Sequence, residues 1–146
     1  MKTSLFILVF LAFGKITYGQ QLKQSIDYQF HREGKNYYAF ELFKDAKDLN
    51  NNQLMLNFIS SANFKKVDKI LIKAGEVEVK LKFKLREEKV NSDNPEQRFY
   101  PIVFDLKSLT DKKMECNAQI IFKLDDGSSL TLPFTTCSIK ELVVKN

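Results

Sequence analysis

Residues 76–86 read Glu-Val-Glu-Val-Lys-Leu-Lys-Phe-Lys-Leu-Arg, and this stretch decides the fold. Val77, Val79, Leu81, Phe83 and Leu85 fall on one side of an extended chain, with Glu78, Lys80, Lys82, Lys84 and Arg86 on the other. Strict period-two alternation is the signature of a strand with one face buried and one in water, as in antiparallel sheets. The segment is therefore read as one continuous strand. On its N-terminal side Gly75 permits a tight reversal. Before that, Val67 to Lys73 carries the continuous apolar run Ile70-Leu71-Ile72, suited to burial on both faces.

The same period recurs along the chain. Ile26, Tyr28 and Phe30 alternate with Asp27, Gln29 and His31, so the first three are expected to face inward. Turn chemistry at residues 32–36 leads to Tyr38, Phe40 and Leu42, and a polar loop through Asn50-Asn51-Asn52 leads to Leu54, Leu56 and Phe58. After the polar connection 87–97, Tyr100, Ile102, Phe104 and Leu106 resume the alternation, with Pro101 assigning them to an edge strand or a bulge. Ser108 to Glu115 reads as a charged loop or short helical turn. Ala118, Ile120, Phe122 and Leu124, then an Asp125-Asp126-Gly127 turn, then Leu130, Leu132 and Phe134 form a hairpin. Ile139 to Val144 is a ninth short element, strand or helical turn. About eight strands with no intervening helix predict an all-β domain: an antiparallel β-sandwich, Ig-like or jelly-roll-like, with a small closed β-barrel as the alternative.

The N-terminus reads as an address. Met1-Lys2-Thr3 is a basic start and Ser4 to Phe13 an apolar run of ten residues, ended by Gly14-Lys15. A membrane span needs about 20 apolar residues, so the pattern is that of a secretory signal peptide, residues 1–19, with the mature single domain at 20–146. No cysteine lies near that junction to carry a lipid. Each lysine removed with the leader, Lys2 and Lys15, subtracts one from the formal charge of +5 and leaves +3. Spread along an exported chain, that charge argues against nucleic acid as a partner. The expected location is secreted or periplasmic, in a bacterial envelope.

In an exported protein the two cysteines, Cys116 and Cys137, are expected to pair as a staple. Two readings of the last hairpin compete. A two-residue turn, Asp126-Gly127, sets the cysteines opposite each other but throws Leu130, Leu132 and Phe134 onto the face away from Ile120, Phe122 and Leu124. A three-residue turn with Gly127 left-handed restores the common core face and offsets the cysteines by one, and a bulge near Pro133 would satisfy both demands.

Chemistry-bearing residues are sparse. His31 is the only histidine, sits at a strand end and has no neighbouring nucleophile. Glu33, Glu41, Asp45, Asp48, Asp105, Asp125 and Asp126 include no pair singled out for acid–base work, and Asp125-Asp126 is turn chemistry. No metal-ligand spacing, phosphate loop or cofactor motif occurs, and a small hydrolase ranks last among the functional readings. The feature that points to a partner is the basic row Lys80, Lys82, Lys84 and Arg86, joined by Lys69 and Lys73. A cationic strand face suits a protein or an anionic glycan or envelope surface, whereas its plain structural use is to keep a sheet soluble. The leading expectation is an exported non-catalytic binding module using that face. The alternative is a small barrel carrying an apolar ligand among Phe40, Leu56, Phe83 and Phe104. In the doublets Tyr37-Tyr38 and Phe99-Tyr100, one ring of each is expected in the core and the other is free for contacts.

Overall fold

The computed structural model describes residues 23–45, 51–87 and 94–142. The leader, Asp48 and the last residues, 143–146, lie outside the described residues. Nine strands and two helical turns follow in order: β1 (Lys23–Glu33), β2 (Asn36–Asp45), β3 (Gln53–Ser60), β4 (Val67–Ala74), β5 (Val77–Lys80), β6 (Phe83–Leu85), β7 (Arg98–Asp105), α1 (Lys107–Thr110), β8 (Asn117–Leu124), β9 (Ser129–Thr135) and α2 (Cys137–Lys140). They form two antiparallel sheets, β1-β2-β3-β7-β6 and β5-β4-β8-β9, which face each other across one core without closing into a barrel. The sandwich reading holds and the barrel alternative is set aside.

Aromatic side chains knit the core. Phe58 of β3 stacks on Phe122 of β8 with centroids 4.2 Å apart, and Phe40 of β2 lies 6.0 Å from Phe134 of β9. Ile70 and Ile72 point inward from β4, while Leu71 between them is half-buried on the outside. Burying such side chains is the main favourable term in folding a domain of this size.

The deciding stretch is not one strand. Leu81 still donates its N–H to Ile70 O at 2.9 Å in the four-stranded sheet, and Phe83 already pairs with Phe104 in the five-stranded one. Lys82 is the single residue between. A chain crossing from sheet to sheet at the sandwich edge keeps its inward residues inward, so the alternation runs through unbroken and conceals the crossing.

The first strand departs from expectation in a second way. A β-bulge at Ile26 shifts the register between Ser25 and Asp27. Ile26 packs against the core, but an extra residue reverses every side chain after it, so Asp27, Gln29 and His31 share a face with the inward Leu42, Phe40 and Tyr38. Tyr28 and Phe30 turn outward and are more than half exposed.

Pro101 sits in β7, an interior strand between β3 and β6, not at an edge. Its carbonyl accepts from Arg86 N at 2.8 Å, so its nitrogen also points toward β6. β6 ends at Leu85, and the proline's missing donor falls where the ladder stops.

The last hairpin takes the three-residue turn. Leu124 N donates to Ser128 O at 2.9 Å and Gly127 adopts φ +86°, a conformation that favours glycine. β8 and β9 then pair without interruption through Pro133, placing Ala118, Ile120 and Phe122 opposite Phe134, Leu132 and Leu130. There is no bulge. Cys116 and Cys137 are nevertheless bonded, with Cα atoms 4.9 Å apart. The offset residue is absorbed by α2, which curls Cys137 back toward Cys116, and the ninth element is therefore a helical turn at Cys137–Lys140.

Asp125 accepts hydrogen bonds from the backbone N–H of Lys65 and of Lys66, and Asp126 from the hydroxyl and N–H of Ser128. Donation to the ionised form lowers both carboxyls below the usual range, Lys65 N–H leading for Asp125 and the Ser128 hydroxyl for Asp126. A depressed carboxylate stabilises the fold above its unfolded pKa, and that contribution disappears as pH falls through the folded value. The turn is accordingly expected to loosen on acidification below the ordinary carboxylate range, read as a fall in the protection of the Lys65 and Lys66 amides relative to their intrinsic exchange rate at each pH.

Candidate functional site

The outer face of the four-stranded sheet is set by which residues face the core. Val79 and Ile72 are buried and paired, so Lys80 and Leu71, the next pair, point outward. Ile70 and Phe122 are likewise buried and paired, so Lys69 and Lys123 point outward, directly opposite each other. Lys73 stands opposite Glu78 on one side and Gln119 on the other. The outcome is a shallow depression lined by Asp68, Lys69, Leu71, Glu78, Lys80 and Lys123. Asp68 is engaged by Lys66 at 3.3 Å. Like charges directly across a strand pair are destabilising, so the Lys69–Lys123 pair is a local cost with no cross-strand compensation.

The six basic residues singled out in the sequence do not form one face. Lys69, Lys73 and Lys80 share the outer face of the four-stranded sheet, and Lys82 lies exposed at the crossing. Lys84 pairs with Val103 in the other sheet. Arg86 reaches over that sheet's outer face: Nη2 donates to Asn57 Oδ1 at 2.5 Å, and the guanidinium lies 5.3 Å from the centroid of Phe43. Asn57 Nδ2 in turn donates to Glu41 Oε2 at 3.1 Å, and Lys23 stands 3.7 Å from the same oxygen. This chain of polar groups ties β1, β2, β3 and the end of β6 together, which makes Arg86 a cross-brace instead of a free cation. Lys123, by contrast, belongs to the basic face and was not singled out. Its outward position is legible in the alternation of residues 118–124, but only the pairing of β8 with β4 brings it to Lys69.

The remaining candidates are placed as follows. His31 lies with its ring 5.2 Å from Tyr38. The Tyr38 hydroxyl donates to Thr131 O at 3.4 Å, bridging the sheets, and burial, followed by the charge of Glu33, raises its pKa. Asp105 accepts from Lys107 N at 2.8 Å at the start of α1. Phe40, Leu56 and Phe104 are buried in the core cluster and Phe83 is half-buried against it. Tyr38 and Tyr100 are the inward members of their doublets. Tyr37 stacks outside on Phe30 at 6.0 Å, and the Tyr100 hydroxyl donates to Lys65 O. Among the described residues, no group of three or more His, Cys, Asp and Glu side chains is placed to hold a metal ion, and no helix is long and apolar enough to cross a membrane. No protein-family model, curated protein or solved structure matches the chain.

Proposed function

We propose that the chain is an exported, non-catalytic binding module whose four-stranded sheet recognises an anionic macromolecular surface through Lys69, Lys80 and Lys123, with Lys73 at the margin. The observation that carries this reading is the cross-strand pair Lys69–Lys123. Two lysines paired directly across neighbouring strands cost stability, and an anionic group placed between them would turn that cost into attraction. Leu71, half-buried between these cations, offers an apolar floor against which a partner can exclude water. Export is supported by the N-terminal sequence pattern and by the disulfide, which belongs to oxidising compartments.

Replacing Lys69, Lys80 and Lys123 together by serine is expected to weaken binding to a sulfated polysaccharide about tenfold, each exposed charge contact contributing roughly 0.5 kcal/mol. Replacing Lys84 should leave that binding unchanged, because it pairs with Val103 in the other sheet. Calorimetric titration at low salt measures both, and equal loss in the two variants would reduce the effect to net charge and remove the site. The single change Lys69→Glu provides a separate check. It places a carboxylate opposite Lys123 and is expected to raise folding stability by about 0.5 kcal/mol in urea denaturation while weakening polyanion binding. Lower stability would show that the lysine pair is not under strain.

A further inference from the structure

The sandwich has four edge strands, and three are protected against pairing with another chain. β5 has 4 residues, β6 has 3, and β9 carries Pro133 in its middle. β1 is different: 11 residues long, free of proline, and regular from Asp27 to Glu33 once past the bulge. Its exposed backbone groups can be assigned. The two-residue turn Gly34-Lys35 closes the hairpin at the pair Glu33–Asn36, and in such a hairpin the closing pair is hydrogen-bonded and bonded pairs recur at every second residue. Glu33, His31, Gln29 and Asp27 therefore turn their N–H and C=O toward β2. Tyr28, Phe30 and Arg32 turn theirs to the open edge. The same Tyr28 and Phe30 present rings that are 58% and 55% exposed, and apolar rings beside an unpaired ladder mark a docking edge.

We propose that this edge is the contact of a homodimer in which two copies of β1 pair antiparallel about a two-fold axis at Gln29, joining their five-stranded sheets into one of ten strands. The strand is complementary to itself in that register. Tyr28 meets Phe30 of the second copy, twice by symmetry, at positions where both residues offer their backbone groups outward, giving four inter-chain backbone hydrogen bonds and two aromatic pairs on one face. On the other face Asp27 meets His31 of the second copy, an acid against an imidazole. Moving the axis to Phe30 keeps the faces matched but sets Asp27 against Glu33, two like-charge pairs, and odd shifts put outward rings against inward polar residues. Charge favours the axis at Gln29 over that at Phe30, and an axis at Tyr28 or His31 would lose the paired Tyr28–Phe30 rings or run into the bulge at Ile26. The contact is small, so the dimer is weak and depends on concentration. It uses the opposite sheet from the basic face and stands independently of the function proposed above.

Sedimentation velocity over a concentration series tests this, with circular dichroism confirming strand content in each variant. Because both rings are more than half exposed, charged replacements there leave the core intact. The wild type is expected to convert from monomer to dimer as concentration rises. Tyr28→Lys with Phe30→Lys places lysines opposite each other and is expected to remain monomeric where the wild type is mostly dimer. Tyr28→Lys with Phe30→Glu places opposite charges in register and is expected to restore the dimer. A wild type that stays monomeric up to millimolar concentration overturns the proposal, as does a double-lysine variant that dimerises like wild type. Failure of the Lys/Glu variant to recover overturns the axis at Gln29.

Discussion

Replacing Phe58 with alanine is expected to cost about 4 kcal/mol of folding stability, among the largest effects of a single substitution in this core. Phe58 has no solvent exposure, stacks on Phe122 at 4.2 Å, and lies within 6.0 Å of Phe64 and 6.4 Å of Tyr100. Its neighbours come from both sheets and from the β3–β4 connection, so Phe122 and Tyr100 cannot collapse into the vacated space without pulling their own strands out of register. The loss therefore combines the transfer energy of the ring with the full cavity term. Against a total of about 5–15 kcal/mol for a domain, such a variant sits near the edge of folding. Urea denaturation measures it: the midpoint should fall sharply with the slope unchanged, and a loss below about 1 kcal/mol would mean that the site repacks. Phe58→Leu, which keeps most of the volume, should cost about a third as much.

The second large effect is expected from the disulfide. Cys116 and Cys137 are 21 residues apart in sequence, and in the chain-entropy treatment a loop of that size is worth about 3 kcal/mol through restriction of the unfolded chain. Replacing both cysteines by alanine should lower stability by that amount with the hairpin register intact, because the register is set by Gly127 and the core pairs and not by the bridge. Part of the loss should be local. Ile139 is buried on α2, which is otherwise held by Thr136 Oγ1 donating to Glu115 O at 2.8 Å and Lys140 Nζ donating to Met114 O at 3.1 Å. Amide exchange in α2 should accelerate more than in β8. If the double variant unfolds at the same guanidinium concentration as wild type, the unfolded-state account is wrong for this protein.

The strands of the β8–β9 hairpin were legible in the sequence but its turn was not: the common core face asked for three residues with Gly127 left-handed and the cysteines asked for two, and the structure resolves the conflict in favour of the core, with no bulge at Pro133. The strand at residues 76–86 was legible only as a burial pattern. Inward residues stay inward when the chain passes from one sheet to the other, and no periodicity can record which neighbour supplies the hydrogen bonds. For β1 the difficulty is of another kind. Ile26, Tyr28 and Phe30 look like one face, and a single bulged residue after Ser25 undoes that inference without leaving a glycine or proline to mark it. The basic face was half legible. Lys69, Lys73 and Lys80 were identified, but Lys84 and Arg86 belong to the other sheet, and Lys123 joined only through a pairing across 54 positions in sequence. Local alternation tells a side chain whether to face water and says nothing about its companions there.

The single-residue crossing at Lys82 has a mechanical consequence. Leu81 is held in the ladder of β4, and two residues later Phe83 is held in the ladder of β7, so the sandwich is riveted along the side where β5 and β6 lie. Neither sheet can slide over the other without tearing that rivet. On the opposite side, where β1 and β9 form the margins, no crossing occurs among the described residues, and side-chain packing and the Tyr38–Thr131 hydrogen bond join the layers there. If the two layers part, the separation is therefore expected to begin on the β1 and β9 side, where solvent would first reach the Phe40 and Phe134 rings.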